Sequence, residues 1–245
     1  GGSFPQAFSC MSFEEDIADV KTTWGVTYHG KHLRLPPNNP PMTNLGSSQQ
    51  YLAVVDYDMP RYSFRAEATP KAGQMLAHFE MVCLLHASLD RDVQARFSVR
   101  PYPPSSWGWN TRGRLIDTLG KDKVSNEADY RTFLAQAKII VCTYPQTTFS
   151  DAMASGLPSI LCYPAQLWET IPEMDPLLEA LKAARIVFTD GKSAAIHINS
   201  VWNDPSAWWD GAEVKEAREM FRAQALTSND DWLSAWSTFI RKMVA

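Results

Sequence analysis

Apolar and polar residues follow two different textures along this chain. Over residues 1–50 the pattern is irregular. One short stretch at 13–20 suits a helix, and the run 35–46, with Pro36, Pro37, Pro40 and Pro41, excludes regular structure. This part reads as a linker or a wrapping segment. From residue 51 onward, short apolar runs alternate with helical patterns. The runs at 51–56, 95–100, 138–142, 158–162 and 186–188 suit strands, the first of them buried on both faces. Helical patterns lie between them at 71–89, 111–119, 127–137, 148–156 and 175–184, the fourth ending at Gly156, a good C-cap residue. Three more helices, 192–202, 213–225 and 231–243, close the chain. Strands alternating with helices predict an α/β fold, a Rossmann-like, mostly parallel sheet with helices on both faces. The chain divides into an irregular N-terminal segment, 1–50, and a Rossmann-like domain with C-terminal helices, 51–245. Right-handed crossovers then set the ligand crevice at the strands' carboxyl ends.

Composition adds bounds to this picture. With 245 residues, 45% of them hydrophobic, the chain is long enough for one sizeable core. A net charge of −4, with no basic run or basic helix face, argues against a nucleic-acid partner. No apolar stretch approaches the roughly 20 residues of a membrane span, and no signal peptide opens the chain. The opening Gly1-Gly2-Ser3 reads as a remnant of cloning, so the chain reads as an excised piece. Cys10, Cys83, Cys142 and Cys162 form no CxxC pair and suit reduced core thiols of a cytosolic protein. The histidines are scattered, and no metal site is expected.

Three loops that follow predicted strands carry unusual residues. After the first comes Asp58-Met-Pro-Arg61-Tyr-Ser-Phe-Arg65, whose two arginines can clamp a phosphate or carboxylate, or simply stand on the surface. After the second comes Arg100-Pro-Tyr102-Pro-Pro-Ser-Ser-Trp107-Gly-Trp109-Asn110. Its rigid prolines and aromatic rings suit a stacking surface for a base or sugar ring, or a hydrophobic lid on the same domain. After the third, Thr147 and Thr148 stand at a helix start, where they can cap the helix or, with its free amides, hold a phosphate. Asp151, one turn in, can accept hydrogen bonds from ribose hydroxyls. Gly191-Lys192-Ser193 resembles the tail of a phosphate loop but lacks the upstream glycine. The histidines His29, His32, His78, His86 and His197 lack partners at ligand spacing and suit surface or core positions.

The run Asp151-Ala-Met-Ala-Ser-Gly156-Leu-Pro158 resembles the donor-nucleotide segment in the C-terminal domain of GT-B glycosyltransferases. More of the chain is similar to a narrower group, a family of surface-polysaccharide transferases first described in Leptospira. The matching pieces are Ile17-Ala-Asp with Thr23-Trp-Gly25, Pro60-Arg-Tyr-Ser-Phe-Arg65, Arg100-x-Tyr102-Pro103 with Trp107-Gly-Trp109-Asn110, and Thr143-Tyr-x-x-Thr147-Thr148-Phe149. Trp168-Glu169, Trp202-Asn-Asp with Trp208-Trp209, and Ser228-Asn-Asp-Asp-Trp232 extend the likeness over nearly the whole chain after residue 13. Asp151 stands where the family usually has Glu, and the Gly-rich loop and N-terminal domain of family members lie upstream of this region.

The resemblance implies the C-terminal, donor-binding half of a GT-B-type glycosyltransferase that moves a sugar from a nucleotide-sugar to a surface polysaccharide or other glycan. It implies a nucleotide-sugar site of Arg61, Arg65, Arg100, Tyr102, Trp107, Thr147, Thr148, Phe149 and Asp151. In it the arginines neutralise donor phosphate or an acidic sugar, the threonines hold the phosphate, and Asp151 holds the ribose. No cofactor or metal is expected beyond the donor. Expected partners are a glycan or lipid-linked acceptor and an N-terminal domain, at the inner, cytoplasmic face of the membrane and without a membrane span. Enzymes using CMP-activated acidic sugars are similar in pairing His-Pro with a later Ser/Thr pair. Tyr102-Pro103 and Thr147-Thr148 occupy comparable places, with Tyr for His. No catalytic base or nucleophile stands out, Asp56 and Asp58 being the best local acids. A nucleotide-sugar epimerase or hydrolase, and a binding module whose C-terminal tryptophans dock a partner, are the alternatives.

Overall fold

A computed structural model describes residues 4–5, 11–27, 29–38, 42–43, 45–62, 69–103, 108–227 and 231–244. The chain opens with helix α1 (Met11–Ile17), followed by β1 (Lys21–Thr23) and β2 (His32–Arg34), which pair in parallel as a separate two-stranded sheet. A sequence pattern could not announce these strands, because three residues each give no measurable alternation.

The main sheet holds β3 (Tyr51–Val55), β4 (Phe97–Arg100), β5 (Ala137–Cys142), β6 (Ser159–Cys162) and β7 (Val187–Phe188). All its pairings are parallel and the order is β4-β3-β5-β6-β7. Thus the Rossmann-like arrangement read from the strand–helix alternation is the one observed. The connecting helices are α2 (Gln74–Ala87), α3 (Arg91–Ala95), α4 (Thr111–Leu119), α5 (Tyr130–Leu134), α6 (Thr147–Ser155) and α7 (Asp175–Ala183). The chain ends in α8 (Gly191–Val201), α9 (Pro205–Trp209), α10 (Ala212–Ala225) and α11 (Trp232–Val244).

Successive strand residues point to opposite faces, so the sheet divides the core in two. Ala53, Val55, Ile140, Cys142 and Leu161 pack with Phe149 and Met153 of α6, Leu177 and Leu181 of α7, and Phe221 of α10. Leu52, Val54, Val99, Ile139, Val141, Ile160 and Cys162 pack with Val82 and Leu85 of α2, Leu115 of α4 and Ile198 of α8. Apolar surface on both sides is what lets these strands be near-continuous Val/Ile/Leu runs. α6 ends at Gly156, whose φ of 78° lies in the left-handed region that a side chain disfavours.

The N-terminal segment lies against this unit. A Cβ on Gly25 would come within 2.5 Å of the Gln224 carbonyl oxygen, and Thr227 donates its amide to the Trp24 carbonyl at 2.6 Å. The Trp236 indole N–H donates to the Pro36 carbonyl at 2.9 Å, tying α11 to the same segment. Cys83, Cys142 and Cys162 are free thiols, the last two buried, and Cys10 lies outside the described residues. Among the described residues no helix is long and apolar enough to cross a membrane.

Candidate functional site

The chain enters the sheet at β3, moves outward to β4, then returns across β3 to β5. That reversal opens a crevice above the carboxyl ends of β3 and β5, the position where open parallel sheets bind ligands. Its floor is buried and polar. Asp56, at the end of β3, bonds through Oδ1 to His78 Nε2 of α2 at 3.0 Å and accepts from Thr143 Oγ1 at 3.1 Å. All three are at most 3% exposed. The Tyr57 ring lies 4.8 Å from that of Tyr144, tilted, and 5.0 Å from that of Trp168, edge-on. The loops after β3 and β5 are therefore locked to each other and to α2 by hydrogen bonds and ring contacts.

On the β4 side lies a cleft of about 480 Å3, lined by Asp58, Arg100, Tyr102, Trp109, Arg112 and Glu127 among others. Asp58 accepts from the Met59 amide at 2.8 Å and from the Thr111 side chain, while burial raises its pKa above the ordinary carboxylate value. Asn110 precedes α4 with a φ of 50°, and its side chain lies where a Cβ on Gly113 would collide with it. Arg100 donates to the Glu127 and Ala128 carbonyls at 3.2 and 2.9 Å and lies 5.5 Å from the Tyr130 ring centre. Tyr130 in turn donates its hydroxyl to the Thr148 carbonyl at 3.2 Å, joining the two sides of the crevice.

On the β5 side, α6 begins at Thr147 after an extended Gln146, whose carbonyl accepts from the Phe149 amide at 2.9 Å. The first amides of a helix have no carbonyl within it, so the start of α6 presents donors and the positive end of its dipole to the crevice. Asp151 follows one turn later. Burial pushes its carboxyl up to about 7; burial also raises the Tyr130 phenol, with Cys142 and Asp151 adding to that shift.

A family model described as LIC12162 family transferase matches residues 1–240. The chain belongs to the LIC12162 transferase family. No curated protein matches it. Among solved structures it is similar to the C-terminal domain of a group 1 glycosyl transferase, LpcC, from Francisella tularensis. That likeness has 10% identity and a TM-score of 0.39, over 77% of this chain and 93% of the other.

Within this LIC12162 transferase, the residues expected at the site divide into three groups. Arg100 and Tyr102 line the β4 cleft, Thr147 stands at the start of α6, and Tyr130 lies between Arg100, the Thr148 carbonyl and Asp151; the Thr148 hydroxyl itself is buried against Cys142 and Tyr144. Arg61 is exposed, and its side chain runs beside Gly108 at the edge of the cleft. Arg65 and Trp107 lie outside the described residues. Phe149 is corrected by the structure: its ring is wholly buried, 6.1 Å from Phe4 and 5.3 Å from Phe221, because its position on α6 faces the sheet. Arg100 is corrected in part, since two of its nitrogens donate to loop carbonyls and it braces the cleft wall. Tyr130 and the 125–128 wall were not singled out by the sequence; Asp56, His78, Thr143 and Trp168 were named there, but not as a cluster. Their partners come from separate elements, and only the position of Asp56 and Thr143 after strands offered a signal.

Proposed function

We propose that this chain is the donor-binding half of a two-domain glycosyltransferase that uses a nucleotide-sugar. The observation that carries the reading is the start of α6 after the carboxyl end of β5, joined through Tyr130 to Arg100 of the β4 cleft. Donor phosphate would lie at the α6 amides beside the Thr147 hydroxyl, with Asp151 accepting from the ribose. Arg61, at the cleft edge, would add charge to the phosphate side. The domain's catalytic contribution would be positioning, and stabilisation of negative charge on the departing nucleotide. The acceptor, a surface glycan or lipid-linked sugar at the inner face of the membrane, would be presented by a second domain that closes the crevice. No metal takes part in this scheme.

Calorimetric titration with CMP, UDP, GDP, ADP and dTDP tests the reading. One nucleotide should bind in preference to the rest, and Thr147→Ala should weaken it by about tenfold, the scale of a lost phosphate hydrogen bond. Preference for CMP would point to an acidic sugar. If none of the five binds, or if Thr147→Ala leaves the preferred one unaffected, the donor-site reading falls.

A further inference from the structure

The β4 cleft supports a narrower statement about its occupant, one that rests on the donor-site reading above. Both arginines that line it act as struts. Arg100 is turned to the Glu127 and Ala128 carbonyls, and Arg112 donates to the Ser125 carbonyl at 2.9 Å and to the Asn126 side-chain oxygen. Glu127 is also engaged, accepting from the Asp129 amide at 2.9 Å. Of the two carboxylates, Asp58 is the more buried. It lines the cleft, is 8% exposed, and forms no ion pair among the described residues. Its two acceptances, from Met59 and Thr111, leave part of a carboxylate's four or so acceptor positions unfilled. The positive start of α4, which would otherwise attract an anion, is already matched by this carboxylate through Thr111. A phosphate or carboxylate beside Asp58 would meet a like charge with no ion-pair partner among the described residues, while the positive charge of Arg100 and Arg112 is held at the 125–128 wall. Hydroxyl groups would meet a ready acceptor, with the rings of Tyr102 and Trp109 alongside.

We infer that the β4 cleft takes an uncharged ring carrying adjacent hydroxyls, and that Asp58 is the residue that selects it. Two parts of a nucleotide-sugar have this chemistry, the ribose and a neutral transferred hexose; with the ribose at Asp151 in the reading above, the hexose is the occupant expected here, and ribose contact at Asp58 would move the ribose to this cleft. Phosphate, and the carboxylate of any acidic sugar, lie outside the cleft, toward α6 and Arg61.

Saturation-transfer NMR on the whole chain, with D-ribose, D-glucose and D-glucuronate as millimolar probes, reads this directly. Glucuronate is glucose with a carboxylate at C6, so the pair isolates charge. Wild-type protein should contact ribose or glucose and not glucuronate. Ribose alone would assign the ring to the nucleoside, and glucose alone to the transferred sugar. Asp58→Asn keeps the size and the acceptor for Met59. It should weaken the neutral probe by about tenfold, as a charged hydrogen bond becomes a neutral one, and should admit glucuronate. A merely structural Asp58 would not produce that reversal of preference. Thr111→Val, which leaves the charge in place, should still exclude glucuronate. The inference is overturned if wild type contacts glucuronate as well as glucose, if no neutral probe makes contact, or if a folded Asp58→Asn keeps the wild-type preference. The wild-type contrast stands even if that variant fails to fold. Nucleotide binding without neutral-sugar contact would remove this inference alone. Neutral-sugar contact that depends on Asp58, with no nucleotide bound, would remove the donor-site reading alone.

Discussion

At the scale of single residues, the crevice holds a carboxyl whose burial works against folding. Asp151 has its pKa raised from 3.8 to about 7 by desolvation. Between those values the folded chain binds more protons than the unfolded chain, so this residue's contribution to stability declines as pH rises through that window. Above it, an ionised carboxylate is held in a partly dry site. Asp151→Asn should therefore melt higher than wild type at pH 8, with the difference shrinking toward pH 5. A gain of a few degrees is expected, since about 1 kcal/mol moves Tm by 2–4 °C in a chain of this size. If Asp151 holds the ribose, the same variant should bind nucleotide more weakly, so that stability and binding move in opposite directions. Thermal scans across pH, with and without nucleotide, check both halves. An equal Tm at pH 8 would show that the carboxyl bears no such cost. His197 has the opposite slope. It is 4% exposed, its ring nitrogens have no partner among the described residues, and burial lowers its pKa to about 4, so stability is lost as pH falls from 6.5 toward that value. The sequence could place both residues on helices. It could not tell that one faces a crevice and the other Phe188 and Trp208, because neighbours far along the chain decide desolvation.

At the scale of elements, the strands of the main sheet were the most legible features. Burial on both faces forces them to be apolar throughout, and that signal survives in four to six residues. The five-residue helices α3 and α9 were illegible for the converse reason, each being little more than one turn. Gly191 shows the same limit. Beside Lys192 and Ser193 it looks like a fragment of a phosphate loop, yet Asp190 caps this helix by accepting from the Ser193 amide at 2.8 Å. The glycine is needed because α8 crosses α2 there. A Cβ would come 2.4 Å from the Met81 carbonyl oxygen and 2.7 Å from the Leu85 nitrogen, both backbone atoms that cannot rotate away. Gly191→Ala should thus destabilise the chain by about 1–3 kcal/mol, even though alanine is the better helix former by about 1 kcal/mol. Urea denaturation measures the difference, and a stabilised variant would mean that the two helices can move apart freely.

At the scale of the whole molecule, the two ends of the sheet divide the work. The carboxyl ends carry Asp56, Asp58, Arg100, Tyr102 and the start of α6, and these positions were legible because they follow strands. What stayed hidden was the use made of each side chain, since Arg100 as a strut and Phe149 as core depend on the 125–128 loop and on Phe221. The amino ends are gripped from the C-terminal region. Trp209 donates its indole N–H to the Gly156 carbonyl, just before β6, at 2.7 Å, with Arg218 4.2 Å over its ring. Trp208 donates to the Ala184 carbonyl, just before β7, at 3.1 Å. These tryptophans therefore pack α9 onto the domain, in line with a structural role and away from the crevice. Trp209→Ala should cost about 3–5 kcal/mol, the range for a large aromatic removed from a core. Trp209→Phe should recover the packing share but not the hydrogen bond to Gly156. Because the contact lies at the opposite end of the strands from Thr148, whatever nucleotide the folded wild type binds should bind folded Trp209→Ala within about twofold at low temperature. Thr147→Ala, at the same end as Thr148, should show the reverse, with stability nearly unchanged and affinity reduced. Chemical denaturation and calorimetry on the two variants test this separation, and a Trp209→Ala protein that stays folded but binds tenfold more weakly would show that the two ends of the sheet are coupled.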